Sequence, residues 1–156
     1  MKKLILAICM SVAISPLFAQ SKSVAALYQK YKSHQDFFHL DLGGNFLNLA
    51  KSFNVKLDEG QSESISQSIE KIIMYKIPVK GQEAGSEYLS LRKGLERERF
   101  EVLMEAGKSK SGVTLYGKGG SRIKDVVLLL RDDKDELMVF EMTGDFDPKL
   151  LSQFGK

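Results

Sequence analysis

The sequence predicts an α+β fold, an antiparallel sheet with helices packed mainly on one face. Three observations carry this. Four short strand-like runs follow one another after residue 100 with turn residues between them, helical spacing is confined to earlier segments and the last few residues, and no repeat or low-complexity tract interrupts the chain. Strands and helices segregated along a chain in this way favour an α+β arrangement over alternating β-α units.

The N-terminus comes first. Lys2 and Lys3, an apolar stretch from Leu4 to Ile14, and Ser15-Pro16-Leu17-Phe18-Ala19 form the three zones of a cleavable signal peptide over residues 1–19. The apolar stretch is shorter than the ~20 residues a membrane-spanning helix needs, so no stable anchor is expected after cleavage. Cleavage after Ala19 makes Gln20 the mature N-terminus and residues 20–156 a single domain. Cys9, the only cysteine, lies inside the apolar stretch behind bulky Ile8, which is a poor lipobox. The mature chain then has no cysteine, which excludes disulfides, thiol nucleophiles and thiolate metal sites. Removing Lys2 and Lys3 leaves 21 basic against 20 acidic side chains, which is no footprint for nucleic acid.

In the mature part, Val24, Leu27, Tyr28 and Tyr31 share a helical face, so a helix is predicted over 24–33 with Ser23 as N-cap. Residues 36–42 alternate Phe37, His39 and Asp41 with Phe38, Leu40 and Leu42, a strand apolar on one side. Gly43-Gly44 turns the chain, and Phe46, Leu49, Ala50 and Phe53 repeat the helical spacing. Residues 58–64 form a polar loop. Ser64 and Gln67 make a capping box for a helix carrying Ile65, Ile69 and Ile72. A strand over 73–79 ends at Pro78, which suggests a nearby sheet edge. A helix over 83–93 presents Tyr88, Leu91 and Leu95 from one face, with Gly94 as its C′ residue. Strands at 100–106, 112–117, 123–131 and 137–143 are joined so tightly that neighbours must run antiparallel, as a four-stranded meander. The unbroken apolar run from Val126 to Leu130 marks a central strand covered on both faces. Asp147-Pro148 opens a short helix through Leu150, Leu151 and Phe154.

The lysine-led signal, the F-F-H-L-D-L strand, and the closing runs R-I-K-D-V-V-L-L-L-R and L-M-V-F-E-M-T-G-D-F-D resemble an exported Bacteroidota family, domain of unknown function 4252. The resemblance spans nearly the whole mature chain and is most specific over the last two strands with Thr143-Gly144-Asp145. It brings no catalytic motif. Some members look like lipoproteins, from which this chain departs by its missing lipobox. The resemblance implies a small envelope domain of unassigned activity.

The candidate chemistry centres on His34, Asp36, His39 and Asp41, two imidazoles and two carboxylates in eight residues, of a type suited to zinc or another divalent ion. His39 and Asp41 project from one strand face about 7 Å apart, close enough to share a metal. The bland reading, solvent-facing side chains beside a packed strand, is preferred. Gly112 to Lys118 matches the start of a P-loop, but Gly119 replaces the magnesium-binding hydroxyl and the segment between reads as a strand. Ser90-x-x-Lys93 and Ser121-x-x-Lys124 lack the partner motifs of penicillin-recognising enzymes. The acidic tract at Asp132, Asp133, Asp135 and Glu136 fails the calcium-loop spacing and fits a hairpin tip. Asp145 and Asp147 form a candidate acid–base pair, although Asp147 has a local role as an N-cap. Met74, Met104, Met138 and Met142 fall at apolar strand positions, as packing methionines do. Arg92, Lys93, Arg97 and Arg99 are interleaved with Glu96 and Glu98 and read as a solvated face.

The expected function is a non-catalytic exported binding or interaction module of the bacterial envelope. Its expected partner is an envelope protein, with no cofactor and no nucleic acid. The alternatives are a metal-assisted enzyme using the His39 and Asp41 region, or an envelope-stress regulator.

Overall fold

The computed structural model describes residues 21–43, 68–108, 111–132, 134 and 136–151. The expected signal, the 46–53 helix, the 58–64 loop, the Ser64/Gln67 capping box and Phe154 lie outside the described residues. In chain order the elements are α1 (Lys22–Tyr31), β1 (Phe38–Leu42), β2 (Ile69–Ile77), α2 (Gly81–Arg97), β3 (Glu101–Gly107), β4 (Gly112–Gly119), β5 (Ile123–Arg131), β6 (Leu137–Phe146) and α3 (Pro148–Leu151).

The strands form one antiparallel sheet in the order β1-β2-β6-β5-β4-β3. The predicted meander is therefore β3 to β6, and β6 then pairs with β2, which carries β1 at the outer edge. Tyr75, Val127, Leu129, Leu137 and Val139 point to one face and meet Val24, Leu27 and Tyr31 of α1 and Leu91 and Leu95 of α2 in a single buried cluster. At about 25 cal/mol per Å² of apolar surface removed from water, this cluster is the main driving force for the fold. The other face has a smaller cluster, Leu115, Ile123, Val126 and Phe146, closed by Leu151 of α3. β5 is thus central, and Val126 and Val127 are buried on opposite faces, as its apolar run predicts.

Several boundaries differ from the sequence reading, each for a packing reason. The N-cap of α1 is Ser21, whose hydroxyl accepts from the Val24 amide; Ser23 lies inside the helix and bonds elsewhere. β2 starts at Ile69, so Ile69 and Ile72 belong to a strand: they pair with Gly144 and Met142 of β6. The helical spacing of these isoleucines yields to the sheet ladder, an instance of tertiary context overriding local preference. β2 is also not an edge. Pro78 stands just past the last paired residue, Ile77, so its missing N–H disturbs no ladder.

Helix α2 runs through Gly94, which is not its C′ residue. A Cβ at Gly94 would lie 2.1 Å from Ser23 Oγ, so glycine is needed there for α1 and α2 to touch. The helix instead ends at Arg97 with Glu98 as its C-cap, and Arg99 beyond it takes a positive φ of 66°. The Phe100 amide then donates to the Leu95 carbonyl at 3.0 Å and the Arg99 amide to the Glu96 carbonyl at 3.0 Å, a Schellman closure without glycine. β6 extends past residue 143 to Phe146, which seals the second cluster. On β1 the predicted alternation holds, but Phe38 and Leu40 face away from the helices and are 48% and 38% exposed. Among the described residues no helix is long and apolar enough to cross a membrane.

Candidate functional site

The residues singled out by sequence do not converge. His34 and Asp36 sit in the turn after α1, where the Asp36 amide donates to His34 Nδ1 at 3.2 Å. His39 and Asp41 do share a face of β1, opposite Tyr75 and Ile73 of β2. Yet the His39 imidazole stacks on the Tyr75 ring at 5.3 Å and 12°, with Tyr28 edge-on at 5.4 Å, while Asp41 forms an ion pair with Lys71 at 2.9 Å. Among the described residues no group of three or more His, Cys, Asp or Glu side chains is placed to hold a metal ion. Asp145 is held by Lys124 at 2.6 Å and Arg122 at 3.2 Å, and Asp147 caps α3 by accepting from the Lys149 amide at 2.8 Å. The Gly112–Lys118 segment is β4, a strand as its sequence suggests. Asp132 accepts from the amides of Lys134 and Glu136 and closes the β5–β6 turn.

The ionisable groups that do gather lie beneath the start of α1. On β6, Leu137, Val139, Glu141 and Thr143 alternate onto the helix-covered face, and on β5 Asp125, Val127 and Leu129 do the same. Glu141 stands opposite Val127, and Asp125 opposite Thr143, so the two acids are diagonal neighbours on adjacent strands, about 7–8 Å apart at the backbone. A cavity of about 530 Å³ opens over them, lined among others by Ser21, Lys71, Phe100, Lys124, Asp125 and Glu141.

Glu141 is only 5% exposed. Its carboxylate accepts from the Ser21 amide at 3.2 Å and from the Tyr75 hydroxyl at 3.1 Å. Burial outweighs both bonds and pushes its pKa up to about 7, since a desolvated carboxylate without a counter-ion resists ionisation. The same burial, together with the Glu141 charge, raises the Tyr75 phenol well above its ordinary value. Asp125 is also raised by burial, against a smaller pull from Lys118. Its Oδ1 is closed off from solvent and has no hydrogen-bond partner.

A third acid touches the same helix start. Glu98, just past α2, accepts from the amides of Lys22 and Ser23, both at 2.8 Å, and from the hydroxyls of Ser21 and Ser23. Burial raises its pKa, but these four donors together outweigh it and the net shift is downward. The free N–H groups and positive end of a helix dipole attract such anions.

Sequence reasoning missed Asp125, Glu141, Tyr75 and Ser21. A signal was present. A carboxylate at an apolar-phase position of a strand, Glu141 in step with Leu137 and Val139, marks a charge aimed into the core.

The fold and cavity define an α+β domain in which a six-stranded antiparallel sheet and the start of α1 flank a cavity that holds Asp125 and Glu141. The chain belongs to the family described as Domain of unknown function (DUF4252), which it matches over residues 31–154. No curated protein and no solved structure matches the chain.

Proposed function

We propose that this protein is a non-catalytic binding module exported to the bacterial envelope, most plainly the periplasm, and that its ligand enters the cavity above Asp125 and Glu141. The observation that carries the reading is a cavity of about 530 Å³ with Asp125 and Glu141 in its wall, neither of them in an ion pair among the described residues. Ligand pockets fall in the range of about 300–1,000 Å³ and combine an apolar lining with a few polar groups, here Ile73, Val127 and Phe100 beside the acids. Export rests on the lysine-led apolar segment ending at Ala19.

The test is amide NMR of the 156-residue chain against fractionated small molecules of an envelope extract. Shifts concentrated at Ser21, Asp125, Thr143 and Gly144 are expected from at least one fraction. Shifts confined to other surfaces, or consumption of a component of the extract, would count against a non-catalytic module built on this cavity. Cell fractionation with intact-mass measurement checks export, for which loss of residues 1–19 is expected.

A further inference from the structure

We propose that, independently of the cavity, the outer edge of β1 pairs with the β1 edge of a second copy of this chain, antiparallel and centred on Leu40, so that two sheets join into one. The two edges of the sheet, β1 and β3, are built differently. An open edge invites strand addition, and β3 carries devices that discourage it: a register shift between Val102 and Met104, and the carboxylates of Glu101 and Glu105 along its length. β3 does expose Val102, but at that irregularity and beside Glu101. β1 has no such device. Its five residues pair with β2 without a shift, they include no proline and no lysine, and among the described residues no strand lies on their other side. Phe38 and Leu40 stand 48% and 38% exposed along this edge strand.

The residues of β1 identify the occupant. Phe38-His39-Leu40-Asp41-Leu42 runs apolar, imidazole, apolar, carboxylate, apolar, and is therefore complementary to itself when reversed. A two-fold axis at Leu40 sets Phe38 opposite Leu42 of the second copy, Leu40 opposite its own counterpart, and His39 opposite Asp41. Both faces are then matched. On the face away from the helices, apolar cross-strand pairs continue the rows in which Leu40 meets Met74 and Leu42 meets Ile72. On the other face an imidazole meets a carboxylate twice. His39 is already held by its stacking on Tyr75, and the Asp41 side chain keeps 42% of its surface exposed beside Lys71, so both are placed before the partner arrives. A slip of two residues would instead set His39 against His39, or Asp41 against Asp41. A different protein would need a matching acid and imidazole of its own, whereas a second copy supplies both by symmetry.

Sedimentation velocity of the 156-residue chain over a concentration series is the test. A five-residue edge offers less contact than the ~1,200 Å² of a stable interface, so a reversible dimer with a Kd on the order of 100 μM is expected. Leu40→Lys puts two ammonium groups against each other at the axis and should weaken the dimer about tenfold or more, with thermal unfolding little changed because the position is exposed. His39→Asp and Asp41→Lys should each weaken association when alone, by setting like groups opposite each other. An equimolar mixture of these two variants should restore it, because both cross-strand pairs then join an acid to a lysine or an imidazole. Rescue confined to the mixture is a result that a folding defect could not give.

A chain that stays monomeric up to about 1 mM, a dimer indifferent to Leu40→Lys, or a mixture no better than either variant alone would overturn the proposal. A monomer whose β1 amides all resist hydrogen exchange would overturn it as well, since another part of the same chain then occupies the edge.

Discussion

Glu98 and Glu141 both accept from Ser21 at the start of α1 and are shifted in opposite directions. Glu98 approaches from outside, beyond the end of α2, and gathers two amides and two hydroxyls; its ionised form is favoured. Glu141 approaches from the sheet, nearly sealed from water, and gathers one amide and one hydroxyl; its neutral form is favoured up to a pH of about 7. The difference teaches that a helix N-terminus does not by itself decide the charge of an acid placed against it. The number of donors set against the depth of burial decides, because each charge-assisted bond is worth about 1.5–3 kcal/mol while desolvation of a carboxylate costs several. One acid consequently holds the helix in place, and the other is a charge that the fold has buried and left only partly answered.

The sharpest way to test this contrast is the pH dependence of stability. Glu141 has a folded pKa above its unfolded value, so its contribution is fully present below about pH 4.5 and is lost as pH rises to about 7. A shift from 4.5 to about 7 corresponds to a loss of about 3 kcal/mol. Denaturant titrations between pH 4.5 and 8 should show this slope in the wild type and its disappearance in Glu141→Gln, which should be the more stable of the two at pH 8 by about 1–2 kcal/mol. A variant as pH-dependent as the wild type over that range would show that Glu141 is not the group responsible.

Next in size is Gly94→Ala. Its Cβ would overlap Ser23, so α1 must shift away from α2 and carry its amides off Glu98, at a cost of about 2 kcal/mol in chemical denaturation. Glu98→Gln should cost about 1 kcal/mol at pH 7, with a sign opposite to that at Glu141. A group with a lowered pKa contributes stability above its unfolded value and loses it as pH falls through the folded one, so this variant should match the wild type only in strong acid. The smallest effect is expected from Tyr75→Phe, which removes one donor to Glu141 and should raise that pKa further. Carboxyl-carbon NMR titration reads the shift directly, and stability should fall by about 1 kcal/mol above pH 7 and by less below pH 5.

Much of the fold was legible because it rests on periodicity. The period-two runs after residue 100 gave the meander, the Val126–Leu130 run gave the central strand, and Asp147-Pro148 gave the last helix start. Local pattern misled where a distant partner set the outcome: Gly94 resembles a helix stop until α1 lies against it, and Ile69 and Ile72 resemble a helix face until β6 pairs with them. The site was hardly legible. His34, Asp36, His39 and Asp41 are neighbours in sequence but are drawn to separate partners, whereas Asp125 and Glu141 lie sixteen residues apart and meet only because β5 and β6 pair in one register.

By itself, then, the sequence determined which residues prefer strand or helix and which side chains share one side of each element, because these follow from local spacing and composition. Tertiary structure decided which strand lies beside which, which of the two sheet faces the helices cover, and hence which acids are stripped of water. Strand order and register depend on the free energy of the whole assembly, and a carboxylate's charge depends on that surrounding, so neither is written in any short stretch of the chain.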